Sequence, residues 1–473
     1  MLATLEKIIR KKLNEVQGYY GHLPVFAQNL AVTARGYILS KMRYNTIFWK
    51  TLDRLRKHDN FTYEQMIYYQ NQRLRETIAF AYQKTPYYHR VMAEAGLSPE
   101  DIQCIDDLKK MPILTRDDIR RYFRDLLVKD RAENQRIIVY TSGTSGSGIP
   151  IAYDAETLAK QWAFLARQGL WAGVDPRDWR VTMFGSKIVP ETQNKPPFWR
   201  YNLFEKEILL SIFHLSEYNK KAYLHFLHKH EGKILDGFAS VLGIIADMIL
   251  QENDCIPMKI VRSTGEPLSQ SYRRKIERAF NCQVYDNYGM TEWVGLIQEC
   301  ERGGMHLISD FGVLEILDEN NNPVPPGVEG YFVWTGLIRK EMPLIRYKIG
   351  DKGMWKKNQF CPCGRPYPLV DPTITRDSDI LKTPDGKLFS PRVINQFLKD
   401  KVSFKTCQFI QEDSRRVIVR IVPGKGTYEL DARRLVKDLI SVIGTSMLFS
   451  IEYAKEPIKR DSGKIPLIIN KSN

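Results

Sequence analysis

Six short stretches of this chain carry side chains suited to a phosphorylated substrate. TSGTSGSGIP, residues 141–150, follows the β-rich run IIVY. Its small residues leave backbone N–H groups unshielded, and its hydroxyls can contact phosphate oxygens. No lysine follows the glycines, so it is not the GxxxxGK[ST] loop of P-loop NTPases. STGEPL, residues 263–268, lies between a predicted strand and a predicted helix, and YDNYGMTE, residues 285–292, follows the next strand. In the latter Tyr288 can stack on a base, Thr291 offers a hydroxyl, and Glu292 offers a carboxylate for Mg²⁺, which takes hard oxygen ligands completed by phosphate and water. Both stretches sit at C-terminal ends of strands, where open α/β sheets place ligands. In RYKIGD, residues 346–351, Asp351 can accept hydrogen bonds from both hydroxyls of a ribose. TRDSDIL, residues 375–381, falls at a predicted domain junction, and PIKRDSGKI, residues 457–465, puts Lys464 on a glycine-flexible tail. Taken singly, each has an ordinary reading: a connector, a polar βα loop, a solvated lysine.

These stretches act together only if a scaffold gathers them, and the patterning supplies one. From residue 64 a helical pattern runs EQMIYYQNQRLRETIAFAYQ, with Met66, Tyr69, Leu74 and Ile78 at near-helical spacing and Thr85-Pro86 as its close. Between residues 136 and 290 the runs IIVY, VTMF, ILLSIF and KIVRS read as strands, and 155–172, 217–230, 240–252 and 268–280 read as helices. In the last of these, Leu268, Tyr272, Ile276 and Phe280 share one face, and Arg273, Arg274 and Lys275 point elsewhere. Such alternation implies parallel βαβ units. After residue 305, VLEILDENNNPVPPGVEGYFVW reads as two antiparallel strands around a polar turn. Residues 379–473 show a helix at 391–400, a strand pair at 406–422 around Asp413-Ser414, a helix at 431–443 and the strand FSIEYA. The expected fold class is α/β: a large N-terminal domain with parallel sheets and a small antiparallel unit, then a small α+β C-terminal domain. The boundaries read as 1–58 for a basic helical extension, 59–377 for the large domain and 378–473 for the small one.

Composition narrows the partners without naming them. The chain has 473 residues, 43% of them hydrophobic, and carries a formal charge of +15 from 70 basic and 55 acidic residues. That excess attracts anions such as nucleotides, nucleic acid, acidic lipid or CoA. The leading MLATLEKIIRKKLNEV contains Glu6 and Glu15 where a secretory signal needs an unbroken apolar run. The longest apolar candidate, VLGIIADMIL, contains Asp247 and is far shorter than the roughly 18 residues that span a bilayer. Seven cysteines in a chain this long do not make a disulfide framework, so a cytoplasmic location is expected. Within residues 1–58, eleven basic residues face three acidic ones, Glu6, Glu15 and Asp53. This segment reads either as a solvated helical arm packed on the body or as a peripheral contact with the inner membrane surface.

In order and wording, the six stretches resemble the adenylate-forming superfamily of acyl-CoA synthetases, luciferases and peptide-synthetase adenylation domains, over roughly residues 60–470. YQNQRLRETIAFAYQKTPYYHR, DLKKMPILTRDDIR, EMPLIRYKIGD and CPCGRPYP are similar to the phenylacetate–CoA ligase group, and the basic extension with LPVFAQNL is similar to its capsular-polysaccharide, CapK-type branch. The resemblance implies an AMP-forming acid–thiol ligase that uses ATP, Mg²⁺ and CoA. It implies that Thr141, Ser142, Gly143, Thr144, Ser145 and Gly146 surround the β- and γ-phosphates, and that Glu266, Pro267 and the residues after them lie along the adenine. Tyr288, between Asn287 and Gly289, would cover the base, Thr291 would meet the α-phosphate, Glu292 would hold Mg²⁺, and Asp351 and Arg376 would hold the ribose. Lys464 would bridge carboxylate and phosphate, on a C-terminal domain that is mobile in this superfamily and rotates between two half-reactions. Two departures stand out. Relatives usually read Gly-Arg-x-Asp-Asp at the junction, whereas here Thr375 replaces the glycine and Ser378 the hinge aspartate, which bears on the thioester step. The phosphate loop also carries an extra small residue before Ile149-Pro150.

Cys300, His306, Cys361 and Cys363 offer three thiolates and an imidazole, a common tetrahedral zinc set. The Cys-x-Cys spacing is tighter than the usual one, and the alternative is four separate residues with buried cysteines acting as small hydrophobes. In the phenylacetate–CoA ligase group similar cysteines recur, some with zinc. His225, His228 and His230 read as a solvated helix face. The acyl pocket is expected from residues 184–200 and Gly237–Ser240, and the aromatic content of FGSKIVPETQNKPPFWRY points to an aromatic or amphipathic acid. Three functions compete: acyl transfer to CoA, acyl transfer to an amine or hydroxyl of a sugar or surface polymer, and a non-catalytic ATP-binding protein of membrane surfaces or nucleic acid. Against the last, basic residues are spread along the chain and no nucleic-acid motif occurs, so no nucleic-acid partner is expected.

Overall fold

The computed structural model describes residues 20–141, 148–190, 192–372, 381–386, 388–389, 394, 404–423, 429–458 and 466–471. Ser142 to Gly146, Arg376, Ser378 and Lys464 therefore lie outside the described residues, as does almost all of the helix expected at 391–400.

The helix expected from residue 64 runs Tyr63–Lys84. Thr62 and Gln65 close its N-terminus as a reciprocal capping box, and Pro86 opens the next helix, Pro86–Glu94, at a position where proline fits. Upstream, the basic lead-in forms helices Val25–Arg43 and Thr46–His58. Strands β1 (Ile137–Tyr140) and β2 (Pro150–Tyr153) pair as an antiparallel hairpin around the first glycine-rich stretch. IIVY is thus a strand, but it stands apart from the parallel sheet.

The central sheet holds, among the described residues, eight strands in the order β10-β9-β8-β7-β6-β3-β5-β4. They are β3 (Arg180–Met183), β4 (Trp199–Asn202), β5 (Glu207–Leu210), β6 (Ile234–Gly237), β7 (Ile260–Thr264), β8 (Val284–Gly289), β9 (Leu296–Glu299) and β10 (Met305–Leu307). β5, β3, β6, β7 and β8 run parallel, as the βαβ pattern requires, whereas β4, β9 and β10 add antiparallel margins. Helices Lys220–His228, Ala239–Gln251 and Gln270–Phe280 fall within a few residues of the expected spans. Val181, Ile208, Leu235, Val261 and Val284 form one core cluster with Leu227, Leu242, Ile245 and Ile276 from those helices. Helix Ala155–Trp171 begins at the Asp154 cap.

The antiparallel unit expected after residue 305 is present as β11 (Gly312–Leu317) and β12 (Gly330–Gly336), extended by β13 (Tyr347–Trp355) and β14 (Val370–Pro372). The C-terminal portion contains β15 (Leu381–Lys382) with β16 (Leu388–Phe389), and a four-stranded sheet in the order β19-β18-β17-β20. Its strands are β17 (Phe404–Gln411), β18 (Arg416–Pro423), β19 (Leu448–Tyr453) and β20 (Ile468–Asn470), beside helix Glu429–Ile443. This is the mixed large-plus-small architecture that the pattern implies. Among the described residues no helix is long and apolar enough to cross a membrane.

Helix Val25–Arg43 packs along β4 at the edge of the central sheet. Thr33 Oγ1 donates to the Tyr201 carbonyl at 3.0 Å, Tyr201 N–H donates to Asn29 Oδ1 at 3.0 Å, and Arg200 Nε donates to Gln28 Oε1 at 2.7 Å. Arg43 pairs with the buried Glu205 at 2.8 Å. Gly36 makes this approach feasible, because a Cβ there would sit 1.8 Å from Asn202 Oδ1. Of the two readings of the basic lead-in, the described part follows the packed one.

Candidate functional site

The parallel strands deliver two of the six stretches to one end of the central sheet. β7 ends in Thr264, so that Gly265, Glu266 and Pro267 turn across the sheet edge. Glu266 Oε2 accepts the Ser240 N–H at 2.9 Å, in the first turn of helix Ala239–Gln251, where a carboxylate is favoured. β8 carries Asn287, Tyr288 and Gly289, and Asn287 is buried.

Tyr288 joins two stretches far apart in the chain: its hydroxyl donates to Asp351 Oδ2 at 2.8 Å. Its ring lies nearly parallel to Trp334, at 6.3 Å and 19°, and edge-on to Phe332. Asp351, on β13, is exposed and keeps oxygen capacity for a further donor.

Glu292 is 3% exposed. Burial is the largest influence on its carboxyl and raises the pKa; the Arg116 guanidinium and the Tyr347 hydroxyl act in the opposite direction. Tyr347 donates to Glu292 Oε1 at 3.0 Å, and the buried Arg339 holds the Glu292 carbonyl. Thr291, the residue before it, is half-buried. The glycine-rich stretch enters through Thr141, which is buried and pairs with Ile149: Ile149 N–H donates to Thr141 Oγ1 at 3.1 Å. Arg116 Nη2 also donates to that oxygen, at 3.2 Å. Arg116 therefore links the base of the glycine-rich loop to the electrostatic environment of Glu292.

Arg116, Arg339 and Tyr347 were not singled out from the sequence. Arg116 opens helix Arg116–Tyr122, capped by Thr115 and Asp118. The TRDD wording shows that cap, but nothing in it marks the arginine as turned inward. Tyr347 lies within RYKIGD, four residues before Asp351, and alternation along β13 turns it to the interior.

Cys300, His306, Cys361 and Cys363 do come together: their ligand atoms all lie within 4.8 Å of one another. Cys300 Sγ is 3.7 Å from Cys361 Sγ, and Cys363 Sγ is 3.3 Å from His306 Nε2. His306 Nδ1 faces the Tyr367 carbonyl at 2.8 Å, which fixes the ring with Nε2 toward the thiols. The β9–β10 hairpin and the turn at Pro362–Gly364 present the four groups. Gly304 has no room for a side chain, since a Cβ would lie 2.8 Å from Cys361 Sγ. Behind the cluster, buried Arg167 pairs with Asp310 at 2.9 Å, and His58 Nδ1 faces the same carboxylate at 2.8 Å. His225, His228 and His230 do not gather as a ligand set: the exposed His228 pairs with Glu231 and Asp254, while His230 is tied to the Phe226 carbonyl.

Comparison with known proteins gives concordant results. The CapK C-terminal domain family matches residues 381–471. Protein CapK of Staphylococcus aureus is 28% identical over 95% of this chain and 98% of its own length. Phenylacetate-coenzyme A ligase of Thermus thermophilus is 23% identical over 66% of this chain and 70% of its own. Among solved structures, 2-hydroxyisobutyryl-CoA ligase in a postadenylation state superposes with a TM-score of 0.56 over 88% of this chain and 91% of that one, at 19% identity. That likeness is one of fold.

Proposed function

We propose that this chain, a member of the CapK-type branch of the adenylate-forming superfamily, is an AMP-forming acid–thiol ligase: it activates a carboxylic acid with ATP as the acyl-adenylate and passes the acyl group to CoA. The observation that carries this reading is the contact between Tyr288 and Asp351 beside Glu292, where a base, a ribose and a phosphate-bound cation would be neighbours.

Attack of a carboxylate on the α-phosphate brings two anions together. Lys464, Thr291 and Glu292 are the catalytic group in this reading. Thr291 contacts the α-phosphate, and Lys464 lies between the substrate carboxylate and the phosphate. Thr141, Ser142, Gly143, Thr144, Ser145 and Gly146 hold the β- and γ-phosphates. Glu266, Pro267, Asn287, Tyr288 and Gly289 frame the adenine, and Asp351 and Arg376 hold the ribose. Glu292, with Arg116 nearby, suits Mg²⁺, which when bound would neutralise charge developing on the phosphate oxygens.

A second reading keeps adenylation but sends the acyl group to an amine or hydroxyl of a sugar or surface polymer. The likeness to CapK over nearly the whole chain favours it, and Ser378 at the hinge position weakens the case for the thioester step. Acid-dependent ATP–pyrophosphate exchange tests the shared half-reaction. Wild type should exchange with one class of acid, and Lys464→Ala should lower the rate by about 10²–10³. CoA added after adenylate formation separates the two readings. Silence across a broad acid panel despite Mg-ATP binding would overturn both.

The Cys/His cluster is the chain's zinc site in this reading, with a structural role. In a tetrahedral site with Zn–S bonds near 2.3 Å, neighbouring sulfurs lie about 3.8 Å apart, close to the Cys300–Cys361 separation of 3.7 Å. Elemental analysis of the purified protein should find one zinc per chain, lost together with several degrees of Tm in Cys363→Ser.

A further inference from the structure

A cavity of about 420 Å³ lies between the central sheet and helix Ala155–Trp171, with helix Val25–Arg43 closing its side through Val32, Gly36 and Leu39. Strand pairing places Arg180 and Thr182 of β3, Glu207 of β5, Asp236 of β6 and Arg262 of β7 on the sheet face toward it. Thr264 and Asn287 continue that face to the strand ends, next to Gly265 and Tyr288. The cavity thus runs from the nucleotide residues to the N-terminal helix.

Its lining is divided by chemistry. Val32, Leu39, Leu165 and Ala166 of the helices offer hydrocarbon beside Arg35, Arg43 and Gln168, whereas the sheet offers mainly hydrogen-bonding groups beside Leu209 and Ile234. Most of the charges on that lining are matched: Arg262 holds Asp236 through both carboxylate oxygens, and Arg43 holds Glu205. Four polar atoms of lining residues are not, Arg43 Nε and Ser263 Oγ among them. Arg180 Nη2, a donor, and Asn287 Oδ1, an acceptor, have no hydrogen-bond partner, although the residues are only 6% and 8% exposed. Buried groups of this kind are ordinarily satisfied by a partner or a ligand. β3 and β8 are three strand spacings apart, about 14 Å, so one ligand serving both extends across the cavity.

We propose that this cavity receives the body of the activated acid, and that the acid is hydroxylated: neutral donor–acceptor groups face Arg180 and the sheet, and hydrocarbon faces Val32, Leu39 and Leu165 of the helices. The proposal rests on the adenylation reading and names its substrate class. It takes the amphipathic rather than the aromatic side of the acid suggested by the 184–201 stretch, of which Phe184 and Ser186 reach the cavity. Helix Val25–Arg43 becomes a specificity wall.

The test pairs hydroxylated acids, including a sugar acid, with their deoxy counterparts and with arylacetates. ATP–pyrophosphate exchange and calorimetric binding are both measured on the full chain. Because a site built around substrate hydroxyls strands its own polar groups when they are missing, each hydroxylated acid should exceed its deoxy partner by about 10²-fold or more in kcat/KM. Arg180→Met should erase that preference and raise the acid KM while the ATP KM stays within about twofold. Leu39→Trp, a half-buried change on the helix wall, should exclude the longest acids first and leave the ATP KM alone. Preference for the deoxy or aryl acids would overturn the proposal, as would folded variants with unchanged selectivity. Exchange silent with every acid, alongside calorimetric binding of hydroxylated acids that Arg180→Met abolishes, would instead overturn adenylation and sustain the cavity assignment. Silence in both measurements would overturn the two together.

Discussion

The two faces of the central sheet are built from the same strands and differ in almost every residue. On the face covered by helices Lys220–His228, Ala239–Gln251 and Gln270–Phe280 stand Val181, Met183, Ile208, Leu210, Leu235 and Val261, all buried in one apolar cluster. One residue along each strand, on the opposite face, stand Arg180, Thr182, Glu207, Asp236 and Arg262. Side chains alternate across a strand, so a single register fixes both sets. Hydrocarbon on the helix face stabilises the sheet, and that stability lets charged and partly unpaired groups persist on the other. The comparison assigns folding to one face and ligand chemistry to the other, and mutations can test the division.

The largest effect belongs to the helix face. Leu235→Ala removes a side chain with 0% exposure from the middle of the cluster, and should cost about 2–5 kcal/mol of stability. Chemical denaturation reads it; the acid and ATP KM values of the folded fraction should not move. A change in acid selectivity would break the division. Next comes Glu292→Gln, at the ligand end of β8. Glutamine keeps the volume and can still accept from Tyr347, so the melting temperature should hold, whereas exchange should fall by about 10²–10³ through loss of the charge that suits a cation. A stability loss as large as that of Leu235→Ala would show Glu292 to be part of the scaffold.

How much of this was legible in the sequence follows the same division. The helix-face residues announce themselves by apolar periodicity, and the helices over that face were placed within a few residues. The polar loops at the ends of β7 and β8 were legible because unshielded glycines, hydroxyls and a carboxylate cluster there. Strands β4 (WRYN) and β6 (ILDG) were not, because one lies at the sheet edge and both mix polar with apolar residues. The cavity was hidden because Arg180 precedes VTMF, Asp236 lies in a strand the pattern did not mark, and Arg262 sits within KIVRS, so that pairing geometry alone shows them facing one space. Gly36 inside a helical segment reads as a weak point, yet it is where the helix meets Asn202. The cysteine and histidine cluster was legible by residue type, while its closure depends on β10 and β14 lying side by side through the His306–Leu369 bridge.

Asp286 sharpens the comparison because it is a carboxylate on the wrong face. It pairs in register with Ser263 of β7, on the helix side. Burial, reinforced by Glu299, pushes its pKa up to about 7. For an acid with a raised folded-state pKa, the stabilising contribution is complete below the unfolded pKa and is lost as pH rises through the folded one. Wild type should therefore lose on the order of 2 kcal/mol between pH 5 and pH 8 through this group, and Asp286→Asn should not. Denaturant midpoints at the two pH values measure it. Parallel pH profiles for the two proteins would mean that the helix face tolerates a buried charge, and the contrast between the faces would lose its electrostatic half.

The smallest effect expected comes from Tyr347→Phe, a single hydroxyl removed from behind Glu292. Burial already raises the Glu292 pKa, and the Tyr347 hydrogen bond, together with the Arg116 charge, opposes that rise. Without the hydroxyl the ionised carboxylate loses a donor worth about 1 kcal/mol, which corresponds to a further rise of somewhat less than one pH unit. Only the ionised form suits a cation, so the acid limb of the exchange–pH profile should move to higher pH. The rate on the plateau above it should change by no more than a few-fold. A tyrosine that merely filled space would be replaced by phenylalanine with neither the melting temperature nor the limb moving. Movement of the limb at constant stability would assign Tyr347 to positioning the carboxylate, and so place a residue of the antiparallel unit in service of a site built mainly by the parallel sheet.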